Sequence, residues 1–325
     1  MRAVVCKQLR GPAALVVEEQ PDLKADRGQV VIEVRAAGVN FPDVLITQGK
    51  YQYRPEPPFT PGGEIAGVVK EVGEAVDSVK VGDRVIAIFP WGGYAEQVVT
   101  DARGVTRIPD GVDFDVAAAF LQAYGTSYYA LVDRAGLREG ETLAVLGASG
   151  GVGLAAIEIG KLLGARVIAC ASNSDKLAVC REHGADELVD YAREDLKERL
   201  KALTRGEGVD VVYDPVGGAH SEQALRATAW CGRHLVVGFA AGEIPKIPLN
   251  LVLLKSCQIM GVFWGVHTIR EHARHLENVA QLCSWLAQRK LRPHVSHSYP
   301  LERARDALTA VMERRAIGKL VLVPR

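Results

Sequence analysis

Length, composition and charge limit what this chain can be. It has 325 residues, 48% hydrophobic and 24% charged, which predicts about two globular domains and excludes a disordered protein. Lys plus Arg and Asp plus Glu both number 39, so the formal net charge is zero. A chain without basic excess lacks the field that holds nucleic acid or an acidic membrane surface, and we expect neither as a partner.

The cysteines and the N-terminal segment predict a cytoplasmic protein. Six cysteines are scattered singly, without the spacing of a zinc or redox motif. The segment MRAVVCKQLRGP lacks the apolar core and cleavage site of a secretory signal. No apolar run approaches the roughly 20 residues of a membrane span, so we expect a soluble protein in a reducing compartment.

The first part of the chain predicts an antiparallel, barrel-like half. Up to about residue 120, short β-type runs alternate with Gly, Pro and Asp turns. These runs include QVVIEVRAAGV, GEIAGVVKEVG, GDRVIAIF and YAEQVVT. The Pro-rich segment YRPEPPFTPGG predicts a stiff loop able to cover a cleft.

From about Thr142 the pattern changes to alternating strands and helices. LAVLG, LAAIEIGKLLG and RVIACA begin a series that continues through ELVDY, VDVVYD, RHLVVGF and QIMGV. Such alternation predicts right-handed βαβ crossovers and a parallel sheet, hence an α/β protein. The segments after about Met260 predict two helices and a closing strand, LVLVP, which we expect to rejoin the first half. The predicted domains are residues 1–121 with 263–325, and residues 122–262.

A glycine-rich turn between the first strand of this series and its helix predicts a dinucleotide site. The turn reads GASGGVG, and its proposed phosphate-binding residues are Ser149, Gly150, Gly151, Val152 and Gly153. Glycines allow a pyrophosphate to approach the backbone, and the unpaired N–H groups at the helix start bind its charge. The following strand, RVIACA, completes the unit at the expected distance. A purely structural glycine turn is the alternative.

The second strand of the unit ends without the carboxylate that binds the ribose 2′-hydroxyl of NAD. It ends Cys-Ala-Ser-Asn, and donors are available from Ser172, Lys176 and Tyr191. These side chains favour a 2′-phosphate and therefore NADPH. Asp175 opposes that charge, and an ordinary solvated helix lysine is the alternative interpretation of Lys176.

Nearly the whole chain resembles the medium-chain dehydrogenase/reductase superfamily, through GVNFPDVLITQGKY, TPGGEIAGVVKEVG, VGDRVIA, GTSYYAL and GASGGVG. Within it, NFPDVLITQGKYQ, PFTPGGE and GVFWG are most similar to the zinc-free quinone oxidoreductase branch. The resemblance implies a GroES-like β-barrel catalytic domain, a Rossmann domain with a doubly wound parallel sheet, NADPH, and homodimers joined through the Rossmann sheet edges. The cofactor assignment also includes Thr126, Gly238, Phe239, Phe263 and Arg315. The last of these resembles a C-terminal arginine that some quinone oxidoreductases place on the 2′-phosphate.

The resemblance also bears on metal binding. Zinc alcohol dehydrogenases of this superfamily have Cys and His where this chain has Asn40 and Gly63, and an amide and a glycine cannot replace those ligands. The structural-zinc cysteines are missing as well. The pairs His272/His275 and His294/His297 have no coherent ligand set, so we expect surface or packing histidines and no metal.

Without zinc, the developing oxyanion of a carbonyl acceptor needs hydrogen-bond donors. The candidates are Asn40 and Tyr51, which match positions that contact nicotinamide or quinone in the quinone oxidoreductases. A second tyrosine of some members corresponds to Leu45 here. Turn formation by Asn40 and packing by Tyr51 are the alternatives, and Asp43 and Glu64 are expected to be network or helix-start residues rather than general bases.

The sequence thus predicts an NADPH-dependent oxidoreductase that transfers hydride to quinones or α,β-unsaturated carbonyl compounds, a small-molecule substrate class. Two alternatives stay open. One is an enoyl-thioester reductase on the same scaffold. The other is an NADPH-binding regulatory protein with little turnover, because fold alone does not determine function.

Overall fold

The computed structural model describes residues 1–324. The strands are β1 (Arg2–Cys6), β2 (Leu15–Glu19), β3 (Gln29–Val39), β4 (Glu64–Val72), β5 (Arg84–Ile88), β6 (Gln97–Asp101), β7 (Val105–Arg107), β8 (Thr142–Leu146), β9 (Arg166–Ala171), β10 (Glu187–Asp190), β11 (Val209–Asp214), β12 (Thr228–Val236), β13 (Gln258–Gly261), β14 (Val295–Pro300) and β15 (Lys319–Val323). The α-helices are α1 (Phe41–Thr47), α2 (Phe114–Ala118), α3 (Leu121–Tyr128), α4 (Gly151–Leu162), α5 (Ser174–Glu182), α6 (Leu196–Leu203), α7 (Gly218–Arg226), α8 (Asn250–Lys255), α9 (Trp264–Arg270), α10 (His272–Ala287) and α11 (Ala304–Met312).

Contacts divide the chain into two units. The first is Met1–Gln122 together with the chain from Pro293 onward, and the second is Ala123–Arg292. The predicted return to the first half at residue 263 therefore differs from the division by contacts, which keeps α9 and α10 in the second unit.

Specific contacts hold α9 and α10 in the second unit. Arg274 and Asn278 of α10 both donate hydrogen bonds to the carboxylate of Asp133. The ring of His267 in α9 stacks on Tyr129 with 4.1 Å between centroids. Such long-range partners are invisible to helical periodicity, which gives the type of an element but not its neighbours.

The first unit is built on a seven-stranded sheet. Its order is β14-β15-β3-β4-β5-β7, with β6 also paired to β3, and every pair is antiparallel except β14 with β15. Apolar side chains of β3, β4, β5 and β15 fill one continuous core with α11. This confirms the predicted antiparallel half. The strand β14, whose sequence VSHSYP has no apolar alternation, was missed.

The second unit contains a six-stranded parallel sheet, as predicted. Its order is β10-β9-β8-β11-β12-β13. The strand order reverses at β8, so the loops after β8, β9 and β11 converge at the carboxyl edge where such sheets bind ligands.

Two further observations concern the whole described chain. All six cysteines are free thiols, four of them buried. Along residues 1–324, no helix reaches both the length and the apolar content that crossing a bilayer requires.

Candidate cofactor and acceptor sites

The glycine-rich turn of the second unit leads from β8 directly into α4. Gly147 has φ +55°, and the N–H of Gly150 donates to its carbonyl oxygen at 3.0 Å. A Cβ at Gly153 would lie 2.6 Å from the carbonyl oxygens of Gly147 and Ala148, so only glycine fits there. Residues 150–152 are partly exposed at the start of a 12-residue helix, a geometry suited to a phosphate.

At the end of β9, the structure brings together two of the side chains predicted for a 2′-phosphate, those of Ser172 and Lys176. The Nζ of Lys176 donates to the Oγ of Ser172 at 3.2 Å, and both residues are half-buried. The backbone N–H of Tyr191 donates to the carbonyl oxygen of Ala171 at 3.1 Å, which fixes Tyr191 beside the same strand end. Asp175 is exposed in the first turn of α5.

Two other predicted cofactor residues follow β12 on the same edge of the sheet. The N–H of Gly238 donates to the carbonyl oxygen of Asp214 at 3.3 Å. A Cβ at Gly217, which has φ +74°, would lie 2.9 Å from the ring of Phe239. Only a glycine at position 217 therefore leaves room for this aromatic ring. Phe263, between β13 and α9, is 44% exposed.

Thr126 lies in α3, close in sequence to residues that support the glycine-rich turn. The hydroxyl of its neighbour Ser127 donates to the carbonyl oxygen of Val152 at 2.9 Å. A Cβ at Gly125 would meet the indole of Trp264 at 2.6 Å. The two chain neighbours of Thr126 are therefore held in place, one by a hydrogen bond and the other by close packing.

A buried carboxylate in α4 was missed by sequence reasoning. Glu158 is 4% exposed, and its Oε2 accepts from the hydroxyl of Tyr124 at 2.8 Å and from the N–H of Arg292 at 3.0 Å. Its Oε1 lies 2.7 Å from the Nδ1 of His183. The hydroxyl of Tyr124 is thus used to hold α4. Three partners offset the cost of burying the charge.

In the first unit, a buried lysine joins two residues of the candidate acceptor site. Asn40 follows β3, Glu64 begins β4 and Lys319 begins β15, and these strands are neighbours in the sheet. The Nζ of Lys319 donates to the Oδ1 of Asn40 at 2.5 Å and to the Oε2 of Glu64 at 3.0 Å. The Nδ2 of Asn40 donates to the same Oε2 at 3.1 Å.

The burial of these groups explains why they pair. Glu64 is fully buried and Lys319 is 5% exposed, and the Oε1 of Glu64 accepts from the N–H of Gln122 at 2.8 Å. Sequence reasoning missed Lys319, because a single lysine at the start of an apolar strand is normally interpreted as a surface residue. The signal available was Glu64 itself, since a buried carboxylate needs a cation or several donors.

Asp43 forms the second carboxylate of this polar cluster. It is 2% exposed, and its Oδ2 accepts from the hydroxyl of Tyr94 at 2.7 Å and from the N–H of Asn40 at 2.8 Å. Burial raises the pKa of Asp43 to about 6, although these hydrogen bonds and the charge of Lys319 favour its ionised form. The structure confirms that Asp43 and Glu64 are network residues, with Asp43 at the start of α1.

Tyr51 lies in the loop after α1 and keeps its hydroxyl available. Its ring packs against Cys6, Ile46 and Phe59 and lies 5.8 Å from the ring of Tyr53. Burial raises the pKa of Tyr51 to about 12, so the phenol stays protonated at neutral pH. In the part of the chain that the structure describes, its hydroxyl makes no hydrogen bond, unlike the amide of Asn40.

Arg315 lies in the first unit, in the exposed turn between α11 and β15. Its Nε donates to a carboxylate oxygen of Glu313 at 2.8 Å. A phosphate would have to compete with that carboxylate for the guanidinium, so the role of Arg315 stays a prediction.

The histidines of α9 and α10 form a packing cluster. The ring of His275 contacts Trp264 edge-on at 5.7 Å and His267 at 6.1 Å. Among residues 1–324, no group of three or more His, Cys, Asp or Glu side chains is arranged to hold a metal ion.

Two family models match this chain, one in each unit. The model for the alcohol dehydrogenase GroES-like domain matches residues 26–110, and the model for zinc-binding dehydrogenases matches residues 151–278. They define a two-domain dehydrogenase/reductase architecture and confirm the predicted GroES-like and Rossmann folds.

Proteins of similar sequence and structure identify the family more closely. A quinone oxidoreductase-like protein 2 homolog from Nematostella vectensis is 39% identical, over 99% of this chain and 88% of its own length. The human quinone oxidoreductase is 31% identical, over 99% of this chain and 98% of its own length. The structure of Escherichia coli quinone oxidoreductase complexed with NADPH is 28% identical with a TM-score of 0.93, and each chain is fully covered. The chain belongs to the quinone oxidoreductase branch of the medium-chain dehydrogenase/reductase superfamily, a family of oxidoreductases.

Proposed function

We propose that this protein is an NADPH-dependent reductase of quinones or α,β-unsaturated carbonyl compounds that works without zinc. The observation that carries the proposal is the pairing of a glycine-rich phosphate turn with a strand end that has donors and no carboxylate. Ser172 and Lys176 contact each other there. An E. coli relative was solved with NADPH on the same fold.

The choice of NADPH over NADH rests on the charge at the end of β9. A 2′-phosphate gains charge-assisted hydrogen bonds from the ammonium of Lys176 and the hydroxyl of Ser172, whereas a 2′-hydroxyl lacks the carboxylate it normally uses. The backbone of Tyr191 is held beside that strand by its hydrogen bond to Ala171. The carboxylate of Asp175 is exposed, so solvent screens its repulsion.

Zinc does not fit the residues of the acceptor site, although one matching model describes zinc-binding dehydrogenases. The ammonium of Lys319 already lies 3.0 Å from Glu64 and would repel a divalent cation. A Cβ at Gly63 would lie 2.9 Å from the carbonyl oxygen of Phe89, which leaves no room for an imidazole. The remaining amide and carboxylates lack the thiolate and imidazole character that zinc prefers.

When bound, NADPH supplies hydride from C4 of its nicotinamide. Reduction of a quinone by one hydride and one proton gives the quinol, with the proton coming from solvent or a relayed hydroxyl. The protonated phenol of Tyr51 can donate to the acceptor oxygen as negative charge develops on it. Asn40 can contribute the one N–H of its amide that meets only the carbonyl oxygen of Gly38, at 3.4 Å.

The second unit has a face suited to a homodimer. Among residues 1–324, the strand β13 pairs only with β12, and four large apolar side chains in the segment that precedes it are at least 68% exposed. They are Ile244, Leu249, Leu253 and Leu254. An unpaired edge beside an apolar patch favours pairing with a second copy of the chain. Light scattering should then give twice the mass of one chain. Replacing Leu253 by a charged residue should reduce the measured mass to that of one chain.

A panel of acceptors tests the function directly. NADPH oxidation is followed with 1,4-quinones, small enones and enoyl thioesters, beside a titration of NADPH alone. Preference for the thioesters would identify an enoyl-thioester reductase, and binding without oxidation would identify a regulatory protein.

The matched variants are Tyr51→Phe and Tyr53→Phe, which each remove one hydroxyl from the same loop. We expect Tyr51→Phe to lower turnover of quinones while NADPH affinity and the activity of Tyr53→Phe stay near the parent values. Equal turnover in the two variants would remove Tyr51 from the acceptor site.

A further inference from the structure

We propose that Lys319 is a positioning residue that fixes which end of the Asn40 amide faces the acceptor. The inference rests on the proposed function, because it assigns to Asn40 a donor role in reduction. Lys319 contacts Asn40 and Glu64 and acts through them.

The orientation of the Asn40 amide follows from the chemistry of the two charged side chains beside it. An ammonium can only donate hydrogen bonds, and a carboxylate can only accept them. The Nζ of Lys319 lies 2.5 Å from the Oδ1 of the amide, and the Oε2 of Glu64 lies 3.1 Å from its Nδ2. A flipped amide would place its N–H groups against the ammonium and its oxygen against the carboxylate, so both contacts would become repulsive.

The orientation that Lys319 and Glu64 impose leaves one N–H group of the Asn40 amide available. Of the two N–H groups on Nδ2, one is used by Glu64. The other meets only the carbonyl oxygen of Gly38 at 3.4 Å, the outer limit of a hydrogen bond. Asn40 is half-buried, whereas both groups that hold it are buried. The locked orientation therefore gives the acceptor oxygen an N–H group and never a carbonyl oxygen.

The positive charge also strengthens this donor. A hydrogen bond from the ammonium to Oδ1 draws electron density from the amide, and connected hydrogen bonds polarise one another in a medium of low dielectric constant. Lys319 can thus transmit part of its charge to a developing oxyanion without touching the substrate. A metal-free site gains in this way some of the polarisation that a bound cation supplies.

The test is a double-mutant cycle on kcat for a 1,4-quinone. Lys319→Met and Asn40→Ala should each lower kcat about tenfold to hundredfold, and the double variant should lose no more than Asn40→Ala alone. NADPH affinity should stay within about twofold of the parent value in every variant. Lys161→Met, which breaks the ion pair with Asp186 in the second unit, is the control for loss of a lysine and should leave kcat unchanged.

Folding and function are separated by added variants. Lys319→Met leaves the buried Glu64 without its cation, so Glu64→Gln combined with Lys319→Met serves as a neutral alternative if the single variant fails to fold. A loss of kcat from Lys319→Met that persists in full in the Asn40→Ala background would overturn the proposal, because Lys319 would then act independently of Asn40.

A second readout does not depend on activity. The side-chain NH₂ of Asn40 is followed by ¹⁵N–¹H NMR, and its hydrogen exchange should accelerate at least tenfold in the Lys319→Met variant. Exchange at the parent rate would overturn the proposal that Lys319 fixes the orientation of the Asn40 amide. If the parent protein fails to oxidise NADPH with any acceptor of the panel while exchange still accelerates in the Lys319→Met variant, the proposed function fails and the orientation of Asn40 by Lys319 stands.

Discussion

Asp43 should make the stability of the first unit depend on pH in an unusual direction. Burial raises the pKa of Asp43 from 3.8 to about 6 in the folded protein. Between these values the folded state holds a proton that the unfolded state has lost, so the free energy of unfolding falls as pH rises. The difference of about two units corresponds to about 3 kcal/mol, present below pH 4 and lost by about pH 6. A carboxylate with a lowered pKa would give the opposite slope.

Asp43→Asn removes the titration and should flatten this part of the profile. Urea unfolding is followed by hydrogen-exchange mass spectrometry of peptides from β3 and β4, so that only the first unit is observed. The difference between parent and variant should change by about 3 kcal/mol between pH 4 and pH 6.5. Asp77→Asn, at an exposed carboxylate, is the control. Parallel profiles for the parent and Asp43→Asn would refute the assignment of a raised pKa.

Three further predictions concern the cofactor and the metal. Gly153→Ala should lower the free energy of unfolding by about 1 to 3 kcal/mol and weaken NADPH binding, because its Cβ would overlap two carbonyl oxygens. Gly150→Ala, whose nearest contact is 3.4 Å away, should keep the parent melting temperature, and identical melts for both variants would contradict the turn geometry. Lys176→Ala should reduce NADPH affinity about tenfold to hundredfold and NADH affinity little, as measured by paired titrations; a parent that binds both cofactors equally would contradict this. Metal analysis should find no stoichiometric zinc, and activity should survive chelation, since Lys319 supplies the cation beside Glu64; one tightly held zinc lost together with activity would refute it.

Local patterns in the sequence were enough to predict the fold and to propose a cofactor site. The glycine turn, the strand that ends at Ala171 and the donors after it are close in sequence, so spacing alone predicts them. Lys319 and Asn40 are 279 residues apart and meet only because β15 pairs with β3. The network around Glu158 likewise joins residues from four separate parts of the chain. Periodicity carries no information about such partners.

The first unit is interrupted in sequence, and this has a consequence for its synthesis. Its sheet needs β15 beside β3, whereas the parallel sheet of the second unit uses only strands from β8 to β13. As the chain leaves the ribosome, the second unit can complete its sheet while β3 still has an open edge. Until residue 319 has been made, Glu64 has no ammonium partner. We therefore expect the first unit to complete its sheet after the second, and the unpaired edge of β3 can pair with other chains until β15 has been made.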